Sequence, residues 1–168
     1  MIGVASLTAL AAMGESQQPA PYLFRANEWN LDLFGSVSVG QETIDHISDE
    51  RVRDDGRLGA GFGVSYFFSR NWGLGGDAYS ENTQHSFFDD ASGNVIFRIP
   101  IDKIHLAPYV YGGAGRKFDA TEVWFGQAGA GLELRFTHGF GIFADARYVM
   151  TDETANFGLG RLGVRLSF

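Results

Sequence analysis

The 168-residue chain is predicted to be all-β, an eight-stranded antiparallel up-and-down barrel of the transmembrane kind. Three observations carry that expectation. Apolar and other residues alternate with period two over segments of about ten residues, the length of a tilted strand that crosses a bilayer. The connections between segments are alternately long and short, which puts all the long ones on one side of an antiparallel meander. Charged residues within the segments keep to the parity opposite the apolar set. A lipid-facing wall requires this, because an Arg or Lys at the bilayer midplane costs about 2 to 4 kcal/mol.

The strands follow in order from Asn30. The first runs from Asn30 to Gly40, with Asp32 opposite its apolar set, and leads into the long polar link QETIDHISDERVRDDG. The second, Arg57 to Phe67, sets Gly59, Gly61 and Gly63 on one parity and is followed only by FSRN. The third, Trp72 to Glu81, carries Asp77 on its non-apolar parity and precedes NTQHSFFDDAS. The fourth, Gly93 to Ile101, sets Val95, Phe97 and Ile99 against Asn94, Ile96 and Arg98; the short DKI follows. The fifth runs from His105 to Ala114 and leads into GRKFDATE. Pro100 and Pro108 lack a ladder donor, and both flank the turn at Asp102 and Lys103, so they fall near one rim.

The sixth strand, Val123 to Phe136, opposes Ala128, Ala130, Leu132, Leu134 and Phe136 to Gln127, Gly129, Gly131, Glu133 and Arg135. A tight TH joins it to the seventh, Gly139 to Met150. There Phe140, Ile142, Ala144, Ala146 and Tyr148 oppose Gly141, Phe143, Asp145 and Arg147. After TDETA the eighth, Ala155 to Phe168, sets Leu162, Val164, Leu166 and Phe168 against Arg161, Gly163, Arg165 and Ser167. Pairing this last strand with the first, near Leu31 to Val39, would close the sheet and remove its edges.

Composition narrows the function. The net charge of -7 argues against a nucleic-acid partner, which needs a basic surface. The absence of cysteine removes disulfides and thiolate metal sites. Only Lys103 and Lys117 among the 13 basic residues are lysine, and arginine is the cation suited to packed, paired surroundings. Asp32, Asp77, Arg98, Glu133, Arg135, Asp145, Arg147, Arg161 and Arg165 are therefore expected to form a polar network in the lumen. In a soluble lipocalin-like barrel the apolar parity would instead line the lumen, and the other would carry solvated Lys, Glu, Thr and Ser. Here that other parity holds Gly59, Gly61, Gly63, Gly129, Gly131, Gly163 and charges of both signs. Trp29, Tyr66, Trp72, Tyr79, Trp124, Phe136, Phe140 and Phe168 lie near strand ends, as interfacial girdles require.

The closing residues follow a pattern of a polar residue, one position, Gly, two positions, a hydrophobic residue, one position and an aromatic. Arg161, Gly163, Leu166 and Phe168 fill it. The pattern resembles the C-terminal assembly signal of Gram-negative outer-membrane barrels, and the strand series resembles the small OmpA/OmpX-type barrels. VIFRIPI and HLAPYVYGGAGR are similar to adjacent strands of porin-like members of that group. The resemblance implies an outer-membrane location, recognition by the barrel-assembly machinery, contact with outer-membrane lipid and lipopolysaccharide, and a monomer. The apolar, uncharged stretch Ile2 to Met13 has the length of a signal-peptide core without its positive n-region. A short apolar helix is the alternative reading of that stretch. Residues 1–18 are expected to be a truncated signal segment and leader, 19–29 a periplasmic lead-in, and 30–168 the barrel.

Fold alone does not choose a function, since such barrels include structural, adhesive and enzymatic members. Envelope structure or surface contact is the expected role; a lipid-modifying enzyme and a small-ion channel are the rivals. His85 and Ser86, with Asp89 and Asp90 nearby, contain nucleophile and base types but no ordered constellation. The acids Glu42, Asp45, Asp49, Glu50, Asp54 and Asp55, beside Arg51 and Arg53, suit a solvated loop; carboxylates also suit calcium or magnesium, but the spacing is not that of an EF-hand. No cofactor or metal is expected, and no surface ligand is identified.

Overall fold

Period-two alternation turns into a wall whose strands pair with their sequence neighbours, except at one seam where first meets last. The structure, a computed structural model, describes residues 22–45, 50–54, 57–80, 90–117, 123–151 and 156–168. Its strands are β1 (Glu28–Val39), β2 (Gln41–Asp45), β3 (Glu50–Asp54), β4 (Arg57–Phe67), β5 (Trp72–Ser80), β6 (Asp90–Arg98), β7 (Leu106–Lys117), β8 (Val123–Thr137), β9 (Phe140–Thr151) and β10 (Phe157–Ser167). Eight of them close into a barrel in the order β1-β10-β9-β8-β7-β6-β5-β4, all antiparallel. The expected closure is present, with Leu31 opposite Leu166 and Val39 opposite Gly158.

The register fixes the barrel's shape. From Val39 the ladder passes through Gly158, Tyr148, Ala128, Gly112, Val95, Leu74 and Tyr66, and returns to β1 at Trp29, ten residues below its start. With ordinary strand rise and spacing, that shear over eight strands tilts them roughly 40° from the axis, within the range of small closed barrels.

Every residue of that circuit is on the outer parity, which is apolar. Leu33, Val64, Leu74, Val95, Val110, Leu132 and Leu162 are all exposed there, while Arg98, Arg135, Glu28 and Glu133 are buried inside. A soluble barrel has the reverse distribution, so the lipocalin-like alternative does not fit. Near the short-turn end Trp29 meets Tyr66 and Trp72 meets Phe97, each with ring centres 4.8 Å apart, and Phe136 stacks on Phe140 at 5.9 Å. Leu162, midway along β10 and opposite Gly35, tests the wall. Leu162→Arg is expected to cost about 2 to 4 kcal/mol in urea titrations of protein refolded into bilayers.

Four local readings are corrected. Tyr79 is not part of the outer girdle: it shares the parity of Asp77 and is 1% exposed inside the barrel. The lead-in ends before position 29, because β1 begins at Glu28 and already alternates there. The first long link is not merely a loop. It holds the β2–β3 hairpin, with Glu42 opposite Arg53 and Ile44 opposite Arg51; its density of charge masked the β-branched Thr43, Ile44 and Val52. β6 and β7 are displaced towards the long-loop side of their expected spans. The β6 ladder ends at Arg98, a lone bridge joins Ile101 to Leu106 beyond Pro100, and the chain turns through a 3-10 segment, Asp102–Ile104, to His105 at φ 58°. Residues 1–21, with the expected signal segment, lie outside the described residues.

Candidate functional site in the barrel interior

The inward parity brings the nine expected polar residues together in two groups. Towards the short-turn end, Glu133 lies among three guanidiniums. It accepts hydrogen bonds from Arg135 Nε and Arg165 Nη1, both at 2.6 Å, and lies 4.0 Å from Arg98 Nη1. Arg165 donates to both oxygens of Asp32 at 2.7 and 2.6 Å, the bidentate geometry that arginine offers and lysine does not. Glu28 accepts from Arg98 at 3.0 Å and from both terminal nitrogens of Arg135 at 2.7 Å. Asn30 accepts from Arg135 at 3.2 Å and from Ser167 at 2.6 Å.

The second group is centred on Asp145 and Asp77. Asp145 accepts from Arg161 Nε and Nη2, each at 2.8 Å, from Tyr109 at 2.6 Å and from Tyr111 at 3.1 Å. Asp77 accepts from Arg147 and Arg161, both at 3.0 Å, and from Ser92 at 3.1 Å. Gln127 joins the group by accepting from Arg147 at 2.7 Å and donating to Ser92 and Asn94. Each group balances its own charge: Glu28, Asp32 and Glu133 face Arg98, Arg135 and Arg165, while Asp77 and Asp145 face Arg147 and Arg161. Burying these ions would otherwise be prohibitive, and their strict pairing offsets the desolvation. Between the groups is a cavity of about 30 Å³, lined in part by Asp32, Ser65, Asp77, Tyr109 and Arg161. It has room for water-sized occupants.

Apolar side chains pack among these charges, where the Arg161 guanidinium lies 4.9 Å from the Phe34 ring centre and that of Arg165 5.1 Å from Phe143, and continue beyond them towards the long loops. Phe34, Tyr79, Phe125, Phe143, Val149, Phe157 and Leu159 form one buried cluster. Glycine makes room for the larger side chains: a Cβ on Gly129 would come within 2.5 Å of the Tyr111 ring, and one on Gly131 within 2.7 Å of the Tyr109 ring. Gly129→Val is therefore expected to destabilise the barrel by about 1 to 3 kcal/mol, with only part of the loss recovered in a Tyr111→Ala background, because the added Cβ also meets the Ala146 carbonyl oxygen at 2.8 Å; the urea midpoint reports both.

The lead-in covers the opposite mouth. Phe24 is fully buried, its ring 5.2 Å from the Arg98 guanidinium and 4.8 Å from that of Arg135. Arg98 also lies over Phe67 at 3.7 Å. The carbonyls of Leu23, Phe24 and Arg25 accept from Arg135, Arg70 and Arg98 at 2.9, 3.1 and 3.0 Å. Two arginines that pair inside the barrel, Arg98 and Arg135, thus also hold the chain entering it, together with Arg70 of the short turn.

Sequence reasoning missed Glu28, Asn30, Tyr109, Tyr111, Gln127 and the lead-in contacts. Parity would have found Glu28, which is two residues before Asn30 and four before Asp32. Of the loop candidates, His85, Ser86 and Asp89 lie outside the described residues, and Asp90 is buried at the start of β6. Asp49 and Asp55 also lie outside them, as do the side chains of Glu42, Asp45, Glu50 and Asp54.

An apolar outer face, a charge-balanced inner one and closed eight-strand topology define the class of fold: that of the small outer-membrane barrels. Neither a protein-family model nor the sequence of a curated protein matches this chain. Solved structures do. The N-terminal β-barrel domain of Pseudomonas aeruginosa OprF is 18% identical with a TM-score of 0.64, covering 86% of this chain and 99% of that one. Ail, the attachment invasion locus protein of Yersinia pestis, is 19% identical with a TM-score of 0.52, over 85% of this chain and 99% of its own. A de novo designed transmembrane β-barrel scores 0.57 at 15% identity, over 86% and 98% of the two chains. At such identities the likeness is one of fold.

Proposed function

We propose that the chain is an integral outer-membrane protein of a Gram-negative bacterium, a closed wall element whose barrel holds its long connections at the cell surface. One observation supports this reading: among the described residues, the lead-in, the two balanced ion groups and the apolar cluster all lie inside the barrel, beside a cavity of about 30 Å³. Its work is envelope structure or contact through the loops, which a rigid scaffold displays. A monomer suffices, since closure leaves the barrel no free edge.

The reading extends to biogenesis and to contacts. In β10 and the residue just after it, Leu166 and Phe168 lie on the outer parity and Arg161 and Gly163 on the inner one, so the chain offers a hydrophobic pair along one face. We read these four as the signal for the barrel-assembly machinery, and outer-membrane lipid, lipopolysaccharide included, as the surroundings. Ail, one of the similar barrels, has been solved in complex with the heparin analogue sucrose octasulfate, a precedent for ligand contact on this fold. The chain is read as non-catalytic and free of cofactors.

Membrane fractionation with heat-modifiable gel migration, followed by single-channel recording on refolded protein, tests the proposal. The protein is expected in the outer-membrane fraction, shifted by heating, with no conductance steps above bare lipid. Recovery in the soluble fraction would sink the membrane claim. Discrete steps would replace the closed wall with a small-ion path.

A further inference from the structure

Charge is sorted along the barrel axis. The buried ion groups balance, so the net charge of -7 arises outside them. The long connections hold most of the acids, among them Asp45, Asp49, Asp152 and Glu153. The short-turn end is the opposite. Outside the buried groups, its described residues carry Arg25, Arg70 and Lys103, with His105 and His138, against one acidic side chain, Asp102.

That one acid is already held. Arg70 Nη2 donates to Asp102 at 2.7 Å, and Arg70 Nε donates to the Phe24 carbonyl at 3.1 Å. The contact ties the turn between β4 and β5 to the 3-10 turn after β6. Asn71 strengthens the tie: its carbonyl accepts from Arg98 N at 2.8 Å, and its side-chain amide donates to the Arg98 carbonyl at 3.0 Å. Lys103 is left over, exposed and with no carboxylate partner among the described residues. It stands between two exposed isoleucines, Ile101 and Ile104, with Ile99 exposed on the outer parity just before them. The joined turn adds Phe68 and Trp72, also exposed. A free cation thus sits over an apolar foot at the short-turn girdle.

We propose that this sector of the short-turn rim seats an anionic phospholipid of the inner leaflet, its headgroup phosphate on Lys103 and its chains against Ile99, Ile101, Ile104, Phe68 and Trp72. Lysine suits the place because its stem can lie along apolar surface while the ammonium stays at headgroup level. A cation near an anionic membrane surface is worth about 1 kcal/mol. With a net charge of -7 the chain gives anions no general welcome, so the attraction is local to this end. The acids of the long connections work the other way, repelling phosphates at the opposite surface. The inference rests on the outer-membrane reading, with the long connections at the cell surface, and goes beyond it by assigning a lipid class to one leaflet.

Native mass spectrometry of refolded protein with phosphatidylglycerol, and with phosphatidylcholine of the same chains, tests the proposal. Phosphatidylglycerol should be retained about fivefold better, the worth of one interfacial cation. Lys103→Gln should erase that preference, whereas Lys117→Gln, which removes the same charge at the far end of β7, should leave it intact. Ile104→Ser should lower retention of both lipids. Heat-modifiable migration of the variants verifies their folding. Glycerol phosphate at equal concentration, which has the headgroup anion without chains, should displace neither lipid. Equal retention of the two lipids by wild type, a preference that survives Lys103→Gln or is lost in Lys117→Gln, unchanged retention by Ile104→Ser, or displacement by glycerol phosphate would overturn the proposal. Fractionation would still report on the membrane reading by itself, so the two failures are told apart.

Discussion

Glu133→Ala is expected to lower the unfolding free energy by about 3 to 5 kcal/mol, the usual cost of removing one partner from a buried ion group. Glu133 is fully buried, and its loss leaves Arg98, Arg135 and Arg165 facing only Glu28 and Asp32. Three cations against two anions in a water-poor lumen repel one another, and Arg165 Nη1 loses its carboxylate partner at 2.6 Å. Trp29, Trp72 and Trp124 all lie on the outer face, so tryptophan fluorescence during urea titration in lipid vesicles reads the transition. The double variant with Arg165→Ala should cost less than the sum of the singles by about 0.5 to 3 kcal/mol, since the two residues belong to one network. Strictly additive costs would mean that the layer is a set of independent contacts.

Phe24→Ala should cost about 3 kcal/mol, the lower end of the range for a buried phenylalanine because the mouth can partly collapse. The ring fills the space between Arg98 and Arg135, and its loss wets two guanidiniums that also hold the carbonyls of Leu23 and Arg25. Phe24→Leu, which keeps most of the apolar volume, should retain more than half of the stability. On the closed-wall proposal, conductance should stay at the lipid background in Phe24→Ala, because the ion groups and the apolar cluster around Phe34 and Phe143 remain in the barrel. Steps appearing in this variant alone would make the lead-in the principal barrier.

Wall and interior were legible in the sequence to different depths. Parity in β8, β9 and β10 separated lipid-facing from inward residues, because a two-faced strand writes its environment into every second position. Arg98, Glu133, Arg135 and Arg165 could be placed inside for the same reason, but their partners could not. Glu133 and Arg165 are 32 residues apart, and Arg98 and Glu28 are 70 apart. Such distances are set by shear, which no local pattern carries. Phe24 was invisible for a related reason: its burial is made by Arg98 and Arg135 from distant strands, while its own neighbours, before the first alternating segment, were read only as a lead-in. Tyr79 was misplaced where an aromatic near a strand end was read by position rather than by the parity it shares with Asp77.

The seam between β1 and β10 also bears on the order of events in folding. Every other junction in the barrel joins strands adjacent along the barrel's meander, whereas Asp32 and Arg165 are separated by 133 residues. Loop closure over that span comes late, once shorter-range pairings have reduced its entropic cost. The last zipper to close is then the one whose teeth are charged. A slip of one residue would turn Arg165 out to hydrocarbon, and a slip of two would part it from Asp32. The Asp32–Arg165 pair therefore makes barrels that are complete in strand count but wrong in register less stable than the native one.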